Sequence, residues 1–117
     1  MTKEESPRIE IELTLLTEVE GGRRTPVGGL GYSPHLVVGD PNQRTPIIIG
    51  NTAQETYIGI TFDLGPNLLH PGRTAIVTVL PTYYPNTMYE ALSSGATFTL
   101  REGRRIIGYG RVIRWIN

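Results

Sequence analysis

The chain has 117 residues, with 11 basic and 11 acidic side chains and a formal net charge of zero. That length is one domain's worth of material, and the even balance argues against a protein that coats nucleic acid or anionic membrane with its whole surface. There is no cysteine, which excludes disulfide scaffolds, thiolate metal sites and cysteine nucleophiles.

Residues 1–7 read as a short flexible lead. Ile9, Ile11, Leu13 and Leu15 then alternate with Arg8, Glu10, Glu12 and Thr14, the period of a strand with one wet and one buried face. Glu20-Gly21-Gly22-Arg23 predicts a tight turn, and PVGGLGYSP at 26–34 an ordered loop. A short strand over Leu36–Val38 is broken by Gly39-Asp40-Pro41-Asn42, and TPIIIG at 45–50 predicts a third strand. Thr56–Phe62 places Ile58, Ile60 and Phe62 on one face. Pro66–Gly72 is a loop, and Arg73–Leu80 is a strand rich in β-branched residues.

Pro81–Ser94 is the least regular stretch, with at most one helical turn at Met88–Leu92 and no strong cap. Phe98 and Leu100 point inward from a strand over 96–101. Glu102-Gly103-Arg104 turns into a last strand over 105–116, where Gly108 and Gly110 predict a bulge or bend. The 14 glycines and nine prolines suit short strands and tight turns. The expectation is one small antiparallel β-barrel or sandwich over 8–117.

Charge is uneven along the chain. Residues 1–20 hold Glu4, Glu5, Glu10, Glu12, Glu18 and Glu20 against Lys3 and Arg8, whereas 95–117 hold five arginines against Glu102. Either the first and last strands pair and opposite charges cross between them, or the arginines form a face for phosphate or an acidic partner. All basic residues but Lys3 are arginine, so no GxxxxGK[ST] phosphate loop exists. The apolar runs 47–49 and 75–80 fall far short of the about 20 residues that span a membrane. The charged start lacks the apolar region of a signal peptide, so a cytoplasmic location is expected.

No catalytic constellation stands out. His35 and His70 lie in no metal-ligand spacing, and Ser33, Ser93 and Ser94 in no nucleophile elbow. Neither Gly29-Leu30-Gly31 nor Gly108-Tyr109-Gly110 opens a helix as a dinucleotide site requires. Asp40 and Asp63 are not paired by any sequence signal. The six tyrosines and Trp115 read as core and rim aromatics. No enzyme, cofactor or metal is expected.

Two stretches carry a pattern of their own. One is Glu20-Gly21-Gly22-Arg23-Arg24-Thr25-Pro26, followed by Gly31-Tyr32-Ser33-Pro34. The other runs from Phe98 through Arg101-Glu102-Gly103-Arg104-Arg105 to Val112. Together they resemble the C-terminal β-barrel, the third domain, of bacterial elongation factor Tu, with its EGGRxTP and REGGR motifs. His70-Pro71-Gly72-Arg73 stands where that family has its MPGD turn. The similarity extends over residues 8–116 and implies a six-stranded antiparallel Greek-key barrel, here without the GTPase domain that precedes it in the full factor.

The resemblance implies a non-catalytic binding module acting in translation through tRNA, on its T-stem side, or through a translation protein. The implied RNA or phosphate contacts are Glu102, Arg101, Arg104, Arg105 and His35, the last replacing a glutamine. Arg111 joins the arginines of the last strand. Gly21, Gly22, Arg23, Arg24, Thr25, Thr99 and Tyr109 fall on the family's protein-facing side, Tyr109 replacing an alanine. The residues also admit plain structural roles: turn geometry for the glycines and ion pairs within the barrel for Arg23 and Arg101. A second implication is an interaction protein that mimics elongation factor Tu: a decoy, a regulator, or an immunity protein to a toxin that uses the factor. Self-association of the former interdomain face is a third. The segments 39–51 and 82–94 depart from the family.

Overall fold

A computed structural model describes residues 6–29 and 31–117. Residues 1–5 of the expected lead, and Leu30 of the first Gly-x-Gly, lie outside the described residues. The strands are β1 (Arg8–Leu15), β2 (His35–Val38), β3 (Ile48–Ile49), β4 (Thr52–Ala53), β5 (Ile58–Leu64), β6 (Thr74–Pro81), β7 (Thr97–Glu102) and β8 (Arg105–Ile116). Six of them close an all-antiparallel barrel in the order β1-β6-β5-β2-β7-β8, with β1 bonded to both β6 and β8. Of the barrel and the sandwich that the strand spacing left open, the barrel is the observed fold.

The alternation in β1 sets the layering. Ile9, Ile11 and Leu13 are fully buried, and Leu15 nearly so. They meet Leu36, Ile58, Ile60, Val79, Phe98, Leu100 and Val112 in one core, because closure turns every inward face toward the same axis. The wet face of β1 pairs with β8 as opposite charges require. Arg111 meets Glu12 and Arg114 meets Glu10, each at 3.3 Å. The crossing of acidic first strand and basic last strand is therefore real, and it engages Arg111.

The last strand bends, and its glycines have a separate task. Register slips on β8 leave Ile107 extra against β7 and Ile113 extra against β1, so one bulge falls beside Gly108 and the other three residues beyond Gly110. A Cβ on Gly110 would lie 1.9 Å from the Glu12 carbonyl oxygen. Only glycine lets the two backbones approach that closely.

Two stretches differ from expectation. The third strand expected at 45–50 does not join the barrel. Only Ile48–Ile49 is extended, and it pairs with Thr52–Ala53 in a separate two-stranded sheet. The helical turn near 88–92 is a 3₁₀ turn over Thr87–Ala91, and it does have a cap. Asn86 Oδ1 accepts from Met88 N at 2.9 Å. Among the described residues, no helix is long and apolar enough to cross a membrane.

Candidate functional site

The turn after β1 is built locally. Thr17 N donates to Glu20 Oε1 at 2.9 Å and Glu20 N donates back to Thr17 Oγ1 at 3.2 Å. This reciprocal pair closes a tight turn. Gly21 follows with φ +98°, and a Cβ on Gly22 would lie 2.3 Å from the Leu16 carbonyl oxygen. The paired glycines are thus required for different reasons, one for torsion and one for space. Gly21 is exposed and Gly22 is buried.

That turn delivers Arg23 to the β7–β8 hairpin. Arg23 Nη1 donates to Glu102 Oε2 at 2.5 Å, and Tyr32 Oη donates to the same oxygen at 2.7 Å. Arg23 also donates from Nη2 to Thr25 Oγ1 at 2.9 Å. From the other side, Arg105 Nη2 donates to the Gly22 carbonyl at 2.7 Å. The two motifs singled out in the sequence, 20–34 and 98–112, therefore meet at one end of the barrel. Between them is a hollow of about 480 Å³ lined by Glu18, Arg23, Arg24, Thr25, Glu102 and Arg105, with Gly22 at its base.

The electrostatics follow from this packing. Partial burial works to raise the Glu102 carboxyl, but Arg23, Tyr32 and the nearby charge of Arg105 outweigh it and hold it below its usual range. Burial and the adjacent carboxylate push the Tyr32 hydroxyl up. The Glu102 hydrogen bond raises Arg23 further. Glu102 is thus an ionised, doubly bonded acceptor. Arg24, Arg104 and Arg105 are exposed around it. Arg24 leans on Glu18 at 3.1 Å, and Arg104 Nη2 donates to the Asn51 carbonyl at 3.2 Å.

Two expected surface residues are not on the surface. Arg101 is fully buried on the outer side of β7. Its Nη1 and Nη2 donate to the two carboxylate oxygens of Glu55 at 2.8 and 2.9 Å, and Nε donates to Thr99 Oγ1 at 2.9 Å. Arg101 is therefore a clasp for the segment 39–57, not an exposed contact for RNA. Thr99, expected at a protein interface, is only 1% exposed, its hydroxyl accepting from the buried Arg101. Tyr109 is half-buried, with the Arg44 guanidinium 5.1 Å from its ring centroid. On the face that the resemblance assigns to another domain, Tyr109 is thus met by this chain's own excursion between β2 and β5, whereas Gly21, Arg24 and Thr25 stay exposed.

His35 pairs with Arg101 across the β2–β7 ladder and stays half-buried, its ring 6.1 Å from that of Tyr57. His70 is exposed. Among the described residues no three His, Asp or Glu side chains group as a metal site requires. Sequence reasoning missed Glu55 and Tyr57, the partners of Arg101. The partner of Glu102 at Tyr32 lay inside the quoted GYSP stretch, but no spacing rule connects two residues that far apart.

No protein-family model matches the sequence. The chemistry of the end is consequently read from its groups. The three exposed guanidiniums of Arg24, Arg104 and Arg105 can bind a phosphate or carboxylate by paired hydrogen bonds, while the Glu102 carboxylate, an acceptor only, fixes the end from within.

Proposed function

We propose that the chain is a non-catalytic binding module, similar to the C-terminal barrel of elongation factor Tu, that acts in translation by binding tRNA or a translation protein. The observation that carries this reading is the convergence of the two resembling motifs on one end, where Arg23, Tyr32 and Glu102 interlock. Arg24, Arg104 and Arg105 rim that end as exposed cations that suit a nucleic-acid backbone recognised by shape and phosphate. Filter binding of tRNA at low and moderate salt tests the RNA form. The expected result is salt-sensitive binding at roughly tens of micromolar. No binding at either salt sinks the RNA form.

The burial of Arg101 favours a second reading. It removes one implied RNA contact and leaves the turn Gly21, Arg24 and Thr25 exposed as a protein-facing edge. In that reading the chain mimics elongation factor Tu toward a protein that docks on it, as a decoy, regulator or immunity protein. A pull-down from source-cell extract that recovers neither a toxin, nor the factor, nor its exchange factor counts against it.

A further inference from the structure

A groove of about 810 Å³ lies between the 39–57 excursion and the 3₁₀ turn, and shares no residue with the arginine-rimmed end. Val38, Ile47, Ile58 and Met88 give it an apolar lining, and Asp40 and Glu90 stand in its wall. Ile47 is 53% exposed and Val38 37%, so the lining is open rather than closed over by the chain itself.

The groove also contains an unfinished sheet edge. The β2–β5 ladder ends at Leu36–Ile58. Gly39 N donates to the Thr97 carbonyl of β7 at 3.0 Å. Main-chain groups alternate sides along a strand, so those of Val38 point away from β7 and into the groove. No backbone group of the described residues meets them there.

The charge is one-sided. No arginine or lysine lines the groove. Glu55, also in its wall, is neutralised by Arg101 behind it. Among the described residues the Asp40 carboxylate accepts only from Asn42 N, and the Glu90 carboxylate is exposed with no ion-pair or hydrogen-bond partner. An acidic wall repels phosphate and attracts cations.

We infer that this groove docks an extended, basic-apolar peptide segment of a protein partner. The segment adds beside Val38 as a short strand, seats an apolar side chain on Ile47 and Met88, and places an arginine or lysine against Glu90 and Asp40. Strand addition supplies main-chain hydrogen bonds, and alternate side chains supply the selectivity. The inference stands on a different surface from the arginine-rimmed end and does not depend on the function proposed for that end.

The test is a titration of the ¹⁵N-labelled chain, followed by amide chemical shifts. The probe is a blocked pentapeptide with arginine at both ends and leucine, valine and leucine between them. A second peptide carries glutamate in place of both arginines. The arginine peptide is expected to move Val38, Gly39 and Ile58 with a Kd on the order of 1 mM, and the glutamate peptide to leave them in place. Glu90→Arg, at an exposed position without partners, is expected to fold normally and bind the arginine peptide roughly three- to tenfold more weakly. Three results overturn the inference: no movement at those amides up to about 5 mM peptide, equal binding of the glutamate peptide, or unchanged binding by Glu90→Arg. Shifts confined to Tyr84 and Trp115, which line a neighbouring aromatic hollow, overturn it as well.

Discussion

Arg101 grips both carboxylate oxygens of Glu55 from the outer face of the barrel, with Arg101 fully buried and the Glu55 side chain 4% exposed. The pair is out of water, and the guanidinium also donates from Nε to Thr99 and from Nη1 to Tyr57, so each of its nitrogens has a partner. Such a pair is costly to break from one side, because the surviving charge is left buried and alone.

Replacing Arg101 with methionine is therefore expected to destabilise the fold by about 3–5 kcal/mol. Urea denaturation measures the loss. Hydrogen exchange should show the 43–57 segment opening first, since Arg101, Arg44 and Arg104 are its main polar ties to the barrel. Arg101→Lys should recover only part of the stability, because an ammonium cannot match the two parallel bonds. A variant as stable as the natural chain contradicts the clasp.

Acid should loosen the same tie. The Arg101 hydrogen bonds, with help from Gln43, hold Glu55 down at about 2 from an ordinary 4.5. A carboxyl with a depressed folded pKa contributes stability that is full above its unfolded value. That contribution is lost as pH falls through the folded one. The window is thus from about pH 4.5 down to about pH 2, with a loss of the order of 3 kcal/mol at its foot. The urea midpoint followed through this range should fall steeply, and less steeply in Glu55→Gln. Glu102, also lowered, adds in the same direction.

Glu102→Gln tests whether the interlocked end is a structural knot. The substitution removes the charge that Arg23 and Tyr32 share. A loss of about 1–2 kcal/mol is expected, since Glu102 is only partly buried. The 17–26 turn should exchange faster while the rest of the barrel keeps its protection. No change in either measurement would reduce Arg23–Glu102 to a surface pair of no consequence.

The exposed arginines carry the proposed RNA contact. Arg24→Gln, Arg104→Gln and Arg105→Gln together should leave the fold intact and abolish salt-sensitive tRNA binding. Each lost phosphate contact should lower the slope of log K against log salt by roughly 0.7–0.9. Arg111→Gln should leave the slope unchanged, because Arg111 sits with Glu12 on the barrel wall and not at the arginine-rimmed end.

Gly110→Ala isolates the close approach of first and last strands. Its methyl would need to occupy space 1.9 Å from the Glu12 carbonyl oxygen and 2.9 Å from the Phe98 ring. Strain of roughly 3 kcal/mol or more is expected, read as a drop in Tm. Gly103→Asn, at the hairpin tip with φ +59° and open space, should cost about 1 kcal/mol or less.

Periodicity carried the strands but left barrel and sandwich both open, and the closure of β1 onto β8 decided between them. The alternation of Ile9, Ile11 and Leu13 with Arg8, Glu10 and Glu12 dictates a strand with one buried face, whereas β7 alternates in the same way around Phe98 and Leu100 yet buries Thr99 and Arg101 on its other face as well. Such patterns are local, so they are legible without neighbours. The pairing of acidic and basic strands was one of two readings, and only the register of β1 against β8 assigned Arg111 and Arg114 to it. The fate of Arg101 was beyond any local rule. Its burial depends on Glu55 and Tyr57, which arrive through a 39–57 excursion whose path is set by tertiary contacts rather than by sequence period. The zero net charge of the chain likewise specified no surface. The fold divides it into an arginine-rimmed end, a ladder of matched pairs on the wall and an acid-lined groove, because closure of the barrel decides which side chains share a face.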